Sequence, residues 1–162
     1  MVGLMLEVEA PERVVLAVQA HLNNGKIDDA IARFAERFSF KDHGIGLEFK
    51  DKERLTEFFQ KAWELFPGSL LQTDAIFVSR DRVITEWTLN ANVTEPFYAG
   101  LTRRFRVSVR GASIVQFDHG KIASWSDYYD GLTSRRVALA SYFTERVGTL
   151  KGSGRAAGAS IG

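Results

Sequence analysis

The sequence contains no cysteine in 162 residues, which excludes disulfides, thiolate nucleophiles and thiolate metal ligands. Histidine occurs three times. His21, His43 and His119 are scattered, with no carboxylate at ligand spacing, which argues against a metal site. Neither sign of charge dominates. The net charge of +1 gives no global reason to expect nucleic acid or an anionic membrane as partner. No apolar run approaches the roughly 18 residues of a membrane span. The N-terminus lacks a basic stretch followed by an apolar one, so no signal peptide is expected and the chain reads as cytoplasmic. The Gly-x-Gly of "HGIGLEF" lacks the third glycine and the strand-turn-helix setting of a phosphate loop.

What is present is ordinary globular composition, 45% hydrophobic and 25% charged. That suffices for one sizeable core. We expect one domain over residues 1–150 and a glycine-rich tail over 151–162. No internal repeat is visible. Val14, Val15, Val18, Leu22, Ile27, Ile31 and Phe34 suit two amphipathic helices broken at "NNGK". Pro11 suits the first helix start, and Asp28 or Asp29 the second. "FSFKDHGIGLEFKD" suggests a short strand and a loop. "DKERLTEFFQKAWELFPG" is the clearest helix, with Leu55, Phe58, Phe59, Ala62, Trp63 and Phe66 at three- and four-residue steps and Pro67-Gly68 as its stop. Period two then takes over in "SLLQTDAIFVSRD", "RVITEWTLNANV", "RRFRVSVRGASIVQFD" and "IASWSDYY". "SRRVALASYFTERV" reads as a final short helix. Helices first and strands after give an α+β class. We expect a strongly curved antiparallel sheet wrapped around the N-terminal helices, a cone-shaped barrel with an internal pocket.

Parity assigns the faces. Val107, Val109, Gly111, Ser113, Val115 and Phe117 lie opposite Arg104, Arg106, Ser108, Arg110 and Gln116, so the first set is inner. Val83, Thr85, Trp87 and Leu89 likewise lie opposite Glu86, Thr88 and Asn90. In the last strand Ala123, Trp125, Asp127 and Tyr129 alternate with Ile122, Ser124, Ser126 and Tyr128; both sets are mixed, and Ile122 is read with Ile84 and Ile114 on the outer face of the sheet, a modest hint of a dimer. If Asp127 faces inward, desolvation raises its pKa toward the range useful for proton transfer. The alternative is an outward Asp127, or one paired with Arg103, Arg106 or Arg110. Trp63, Trp87, Phe59 and Trp125 are either plain core or the lining for a flat apolar ligand. Tyr98, in the loop after the second strand, would close the mouth or meet a second copy.

The segment "RVSVRGASIVQFDHGKIASWSDYYD", preceded by "VITEWTLNANVTEPFYAG", resembles the SnoaL-like polyketide cyclases. It is also similar to limonene-1,2-epoxide hydrolase and, more distantly, to ketosteroid isomerase. The likeness covers roughly Glu12 to Arg136 and implies the cone-shaped α+β fold. It implies an acid/base role for Asp127. Asp42 falls near the isomerase's general base. Phe40 and Asp42 stand where the hydrolase has a tyrosine and an asparagine. Trp87 and Leu89 stand where the hydrolase has an arginine–aspartate pair, so that pair is missing here. The resemblance further implies a homodimer, and acid/base chemistry by a carboxylate needs no metal or organic cofactor.

The resulting expectation is a small-molecule enzyme, an isomerase, cyclase or hydrolase, acting on a hydrophobic ring-containing molecule. Asp127, Asp42 and His43 are the catalytic candidates. Phe40, Phe59, Trp63, Trp87, Leu89, Tyr98, Val109, Ser113, Trp125 and Tyr129 are the substrate-binding ones. The rival is a non-catalytic ligand-binding or dimeric assembly module, since fold does not fix function.

Overall fold

A computed structural model describes residues 9–96 and 102–131. The chain begins with helix α1, Pro11–Asn23. Pro11 opens it, where a missing N–H costs nothing. Val14, Val15 and Val18 form its buried stripe. Gly25, at φ +68°, turns the chain into α2, Ile27–Ile31, whose first turn carries Asp28 and Asp29. Strand β1, Phe34–Asp42, follows, then β2, Leu47–Phe49. Helix α3, Lys52–Leu65, starts on Asp51, whose carboxylate accepts the Arg54 N–H at 2.9 Å. Four strands complete the described chain: β3 Leu70–Ser79, β4 Arg82–Pro96, β5 Thr102–Asp118 and β6 Lys121–Tyr129. His119 and Gly120, both at positive φ, make the two-residue turn between β5 and β6.

The sheet runs β2-β1-β6-β5-β4-β3 and does not close into a barrel. The α+β cone expected from sequence is the fold seen, with two corrections, the first to the sheet. The sheet is open where a barrel is expected, and it is mixed, because β1 and β6 pair in parallel. This also explains why the second helix is short. The sequence pattern carries it through Phe34, yet Phe34 opens β1 and sits opposite Ile122. Arg33 C=O accepts the Ile122 N–H at 3.0 Å, and the Lys121 ammonium donates to Ala32 C=O at 2.8 Å. Pairing with β6 satisfies this backbone better than another helical turn would.

The helices bury one face of the sheet. Val14, Val15 and Val18 of α1 and Leu55 of α3 meet Phe34, Phe38, Phe40, Val83, Val115, Ile122 and Trp125. Each such aliphatic side chain is worth about 1.5–3 kcal/mol on burial. Ile122 is a second correction. Parity along β6 places it outward, but the β5–β6 register slips between Gln116 and Phe117, leaving Ala123 as the extra residue. The bulge changes the parity, so Ile122 and Trp125 both point into the core. Within α3 only Leu55 is fully buried, Phe58 and Phe59 are half-buried, and Trp63 and Phe66 are exposed. The stretch read as a final helix, the tail over 151–162, and Tyr98 lie outside the described residues. No described helix is long and apolar enough to cross a membrane.

Candidate functional site

Register aligns four polar residues in one row across four strands. Thr85 on β4 faces Ser113 on β5, Ser113 faces Asp127 on β6, and Asp127 faces Asp42 on β1. Directly opposed residues share a face, and this row lies on the face that the helices cover. Thr85, Ser113 and Asp42 are buried. The row below is hydrophobic, with Val83, Val115, Trp125 and Phe40 in register. The row above holds Trp87, Gly111 and Tyr129. Asp127 is therefore a carboxylate set between two aromatic rows.

Its hydrogen bonds are one-sided. Ser113 Oγ donates to Asp127 Oδ1 at 2.5 Å, and Trp125 Nε1 donates to the same oxygen at 2.6 Å. Trp87 Nε1 in turn donates to Ser113 Oγ at 2.8 Å. Among the described residues none donates to Oδ2. The surrounding protein pushes the Asp127 pKa up to about 7; desolvation is the main cause, and the negative charge of Asp42 adds to it. The two donors oppose the shift and do not cancel it. The residue as a whole keeps partial solvent exposure, while its carboxyl group is crowded by protein.

Asp42 is engaged on both oxygens. Its Oδ1 accepts the Ile45 N–H at 3.1 Å, the self-capping habit of an Asp before a turn. Its Oδ2 accepts the Tyr129 hydroxyl at 3.1 Å. Burial, reinforced by the charge of Asp42, pushes the Tyr129 pKa further up from the phenol range, so the ring stays a donor. Two glycines make room for the aromatic row. A Cβ on Gly111 would stand 2.5 Å from the Trp87 ring, and one on Gly44 would stand 2.2 Å from the Tyr129 ring. The two rings lie 5.8 Å apart.

The structure thus brings Asp127, Asp42, Ser113, Trp87, Trp125 and Tyr129 together. Phe40 lies below them, buried, with Trp125 on one side at 6.5 Å and Phe59 edge-on at 5.4 Å. Leu89 and Val109 face one another farther along the inner face of β4 and β5. His43 is not in the group. It is the first residue of the turn after β1, and its exposed ring stacks on Tyr128 at 4.4 Å. Only its backbone N–H reaches Asp127, at the carbonyl oxygen. Trp63 is also elsewhere. It is 36% exposed and lies over Gly25, beside a surface depression lined by Ile27, Asp28, Gln60 and Glu64.

Two inner polar residues escaped the sequence reading as site candidates. Gln19, at 3% exposure, accepts from the Thr73 hydroxyl through Oε1. Its Nε2 and the Thr85 Oγ1 have no partner among the described residues. The available sign was position: Gln19 interrupts the stripe Val15, Val18, Leu22 at helical spacing.

The model of the SnoaL-like domain matches residues 15–125 of the chain. Among solved structures, an LEH-like epoxide hydrolase of M. tuberculosis aligns with TM-score 0.67 at 20% identity, covering 85% of this chain and 95% of that one. A protein assigned as a SnoaL-like polyketide cyclase from Shewanella denitrificans OS-217 aligns with TM-score 0.70 at 12% identity, over 81% and 97%. A protein with a ketosteroid isomerase-like fold from Catenulispora acidiphila DSM 44928, in complex with trimethylamine, aligns with TM-score 0.61 at 19% identity, over 72% and 84%. At these identities the likeness shows the fold. Among curated proteins none matches the sequence.

Proposed function

The chain belongs to the SnoaL-like domain family, and we propose that it is a small-molecule enzyme of that family whose proton carrier is Asp127. The observation that carries this reading is the setting of that carboxyl. It is desolvated, next to a second carboxylate, and titrates near neutrality. Near its pKa a group is populated both as acid and as base, which is the condition for efficient proton transfer at neutral pH. Protonated Asp127 would give its proton to a substrate oxygen. Ionised Asp127 would take one from a carbon beside a carbonyl. The rings of Trp87 and Tyr129 border the carboxyl on one side and that of Trp125 on the other, which suits a hydrophobic ring-containing substrate. Trp87 and Leu89 supply neither the guanidinium nor the extra carboxylate of an arginine–aspartate pair. Isomerisation or ring closure is therefore favoured over epoxide opening by that pair.

Asp42 has a supporting role in this reading. With both oxygens occupied, it acts as a fixed charge that holds Tyr129 and keeps Asp127 protonated to higher pH. Screening neutral polycyclic ketones and their enol ethers for turnover, with Asp127→Asn as control, tests the assignment. Loss of turnover by about two to four orders of magnitude is expected for removal of a general acid–base group; full activity in the variant would end it.

A second reading has one specific observation in its favour. Two carboxylates, Asp127 and Asp42, lie in the row next to Trp87 and Tyr129, and carboxylates among aromatic rings suit a small organic cation. The trimethylamine complex of the Catenulispora acidiphila protein makes the same suggestion. Here the chain would be a binding module with Asp127 ionised. Titration with trimethylammonium separates the two. A cation seated on the carboxylates lowers the Asp127 pKa, and a ligand of the acid form does not.

The outer face of the sheet carries Phe77, Ile84 and Ile114 in register, with Phe77 56% exposed. A homodimer covering this row is the association we propose. Light scattering of the full chain and of Ile84→Lys measures it.

A further inference from the structure

The chain of donors at Asp127 has a direction. A serine hydroxyl has one proton to give and two lone pairs to receive with. Ser113 Oγ already receives the indole N–H of Trp87. Its own proton goes to Asp127 Oδ1, which also takes the indole N–H of Trp125. Trp indole is a donor and nothing else, so neither tryptophan can reverse its bond. Oδ1 is held as an acceptor by two donors, and Oδ2 has no donor among the described residues.

We infer that Trp87 is a positioning residue that acts through Ser113: by occupying the serine as a donor, it commits the serine proton to Oδ1 and leaves Oδ2 as the oxygen that exchanges protons with substrate. The inference rests on the reading of Asp127 as the proton carrier. It goes beyond that reading by assigning which oxygen works and what selects it.

Packing supports the assignment. Ser113 is 1% exposed and Trp87 5%, so water does not compete for either donor. Trp87 is held over Gly111, where any side chain would collide with the ring. The indole is thus fixed by the backbone beneath it. Its sequence neighbours on the inner face, Thr85 and Leu89, carry no donor to Asp127. Among the described residues, the charged or titratable groups facing Asp127 are Asp42 from β1 and Tyr129 from β6 itself. Neither donates to Oδ1, since Tyr129 spends its proton on Asp42.

The full chain has three tryptophans, so its indole N–H spectrum holds three resonances. Trp87 and Trp125 are expected to titrate with the midpoint of Asp127, Trp87 without touching it, and Trp63 not to. Ser113→Ala removes a donor to the ionised form and is expected to raise the Asp127 midpoint by about one unit. In that variant the Trp87 resonance should stop responding. Trp87→Phe is expected to raise the midpoint by less, because the freed hydroxyl no longer points only at Oδ1. In the Ser113→Ala background the same change should add nothing.

An equal shift from Trp87→Phe with and without Ser113 would overturn the inference, because Trp87 would then act by packing alone. So would a Trp87 indole that ignores the Asp127 titration in the unmutated protein, a measurement that needs no variant to fold. These readouts require no substrate. A failed turnover assay therefore rejects the catalytic reading without touching the relay, and a failed relay leaves Asp127 free to act through either oxygen.

Discussion

Asp127 and Asp42 stand side by side on adjacent parallel strands, at matched positions in the register. Among the described residues no cation neutralises the pair. The donors around Asp127 are neutral, and the phenol of Tyr129 serves Asp42. Two like charges in one partly dry place disfavour simultaneous ionisation. The protein meets this by leaving Asp127 protonated to near-neutral pH.

That choice costs stability, with a definite sign. In the folded chain the Asp127 pKa is about 7; in the unfolded chain an aspartate titrates near 3.9. Between these values the folded state holds more protons than the unfolded state. Asp127 therefore lowers stability progressively as pH rises from about 4 to about 7, and by a constant amount above that. The total is at most about 4 kcal/mol. Asp127→Asn keeps an acceptor for Ser113 and Trp125 and removes the titration. Urea unfolding at pH 5 and pH 8 should find the variant the more stable protein at pH 8, with the gap closing toward pH 5.

Asp42→Asn should move the Asp127 midpoint down, toward the ordinary carboxylate range, because a neighbouring negative charge is gone. The same change should lower the Tyr129 pKa, which Asp42 helps to raise. Carboxyl-carbon and tyrosine-ring resonances followed against pH check both shifts.

Much of this site was legible in the sequence. Parity on the two long strands assigned Thr85, Trp87 and Ser113 to the inner face, and strand pairing then fixed their neighbours. The likeness of "DHGKIASWSDYYD" to a known family singled out Asp127. Two things were hidden by chain connectivity. Parallel pairing of β1 with β6 joins residues 34–42 to 122–127, and no local periodicity records a partner so far along the chain. The bulge at Ala123 reverses parity within one strand, which made Ile122 look exposed. His43 was misplaced for a simpler reason: β1 ends at Asp42, and His43 already belongs to the turn that follows, with its ring stacked on the exposed Tyr128.

Gly111→Ala should destabilise the fold and disturb the site together. The added methyl would stand 2.5 Å from the Trp87 ring, and overpacking of this kind costs about 1–3 kcal/mol. Denaturant unfolding gives the stability loss, and the Trp87 indole resonance should shift with it.

Leu55→Ala offers a contrast remote from the site. Leu55 is fully buried and belongs to the core beneath α3. Its truncation should cost about 2–5 kcal/mol while leaving the Asp127 midpoint in place. Unfolding and titration of one sample separate the two effects.

The most direct test of the central claim is the pH titration of the Asp127 carboxyl carbon in the full-length protein, assigned by its loss in Asp127→Asn. A midpoint at about 7 is the result the account requires. A midpoint near 3.9, the value of a solvated aspartate, would contradict it, because such a carboxyl holds no proton to give at neutral pH.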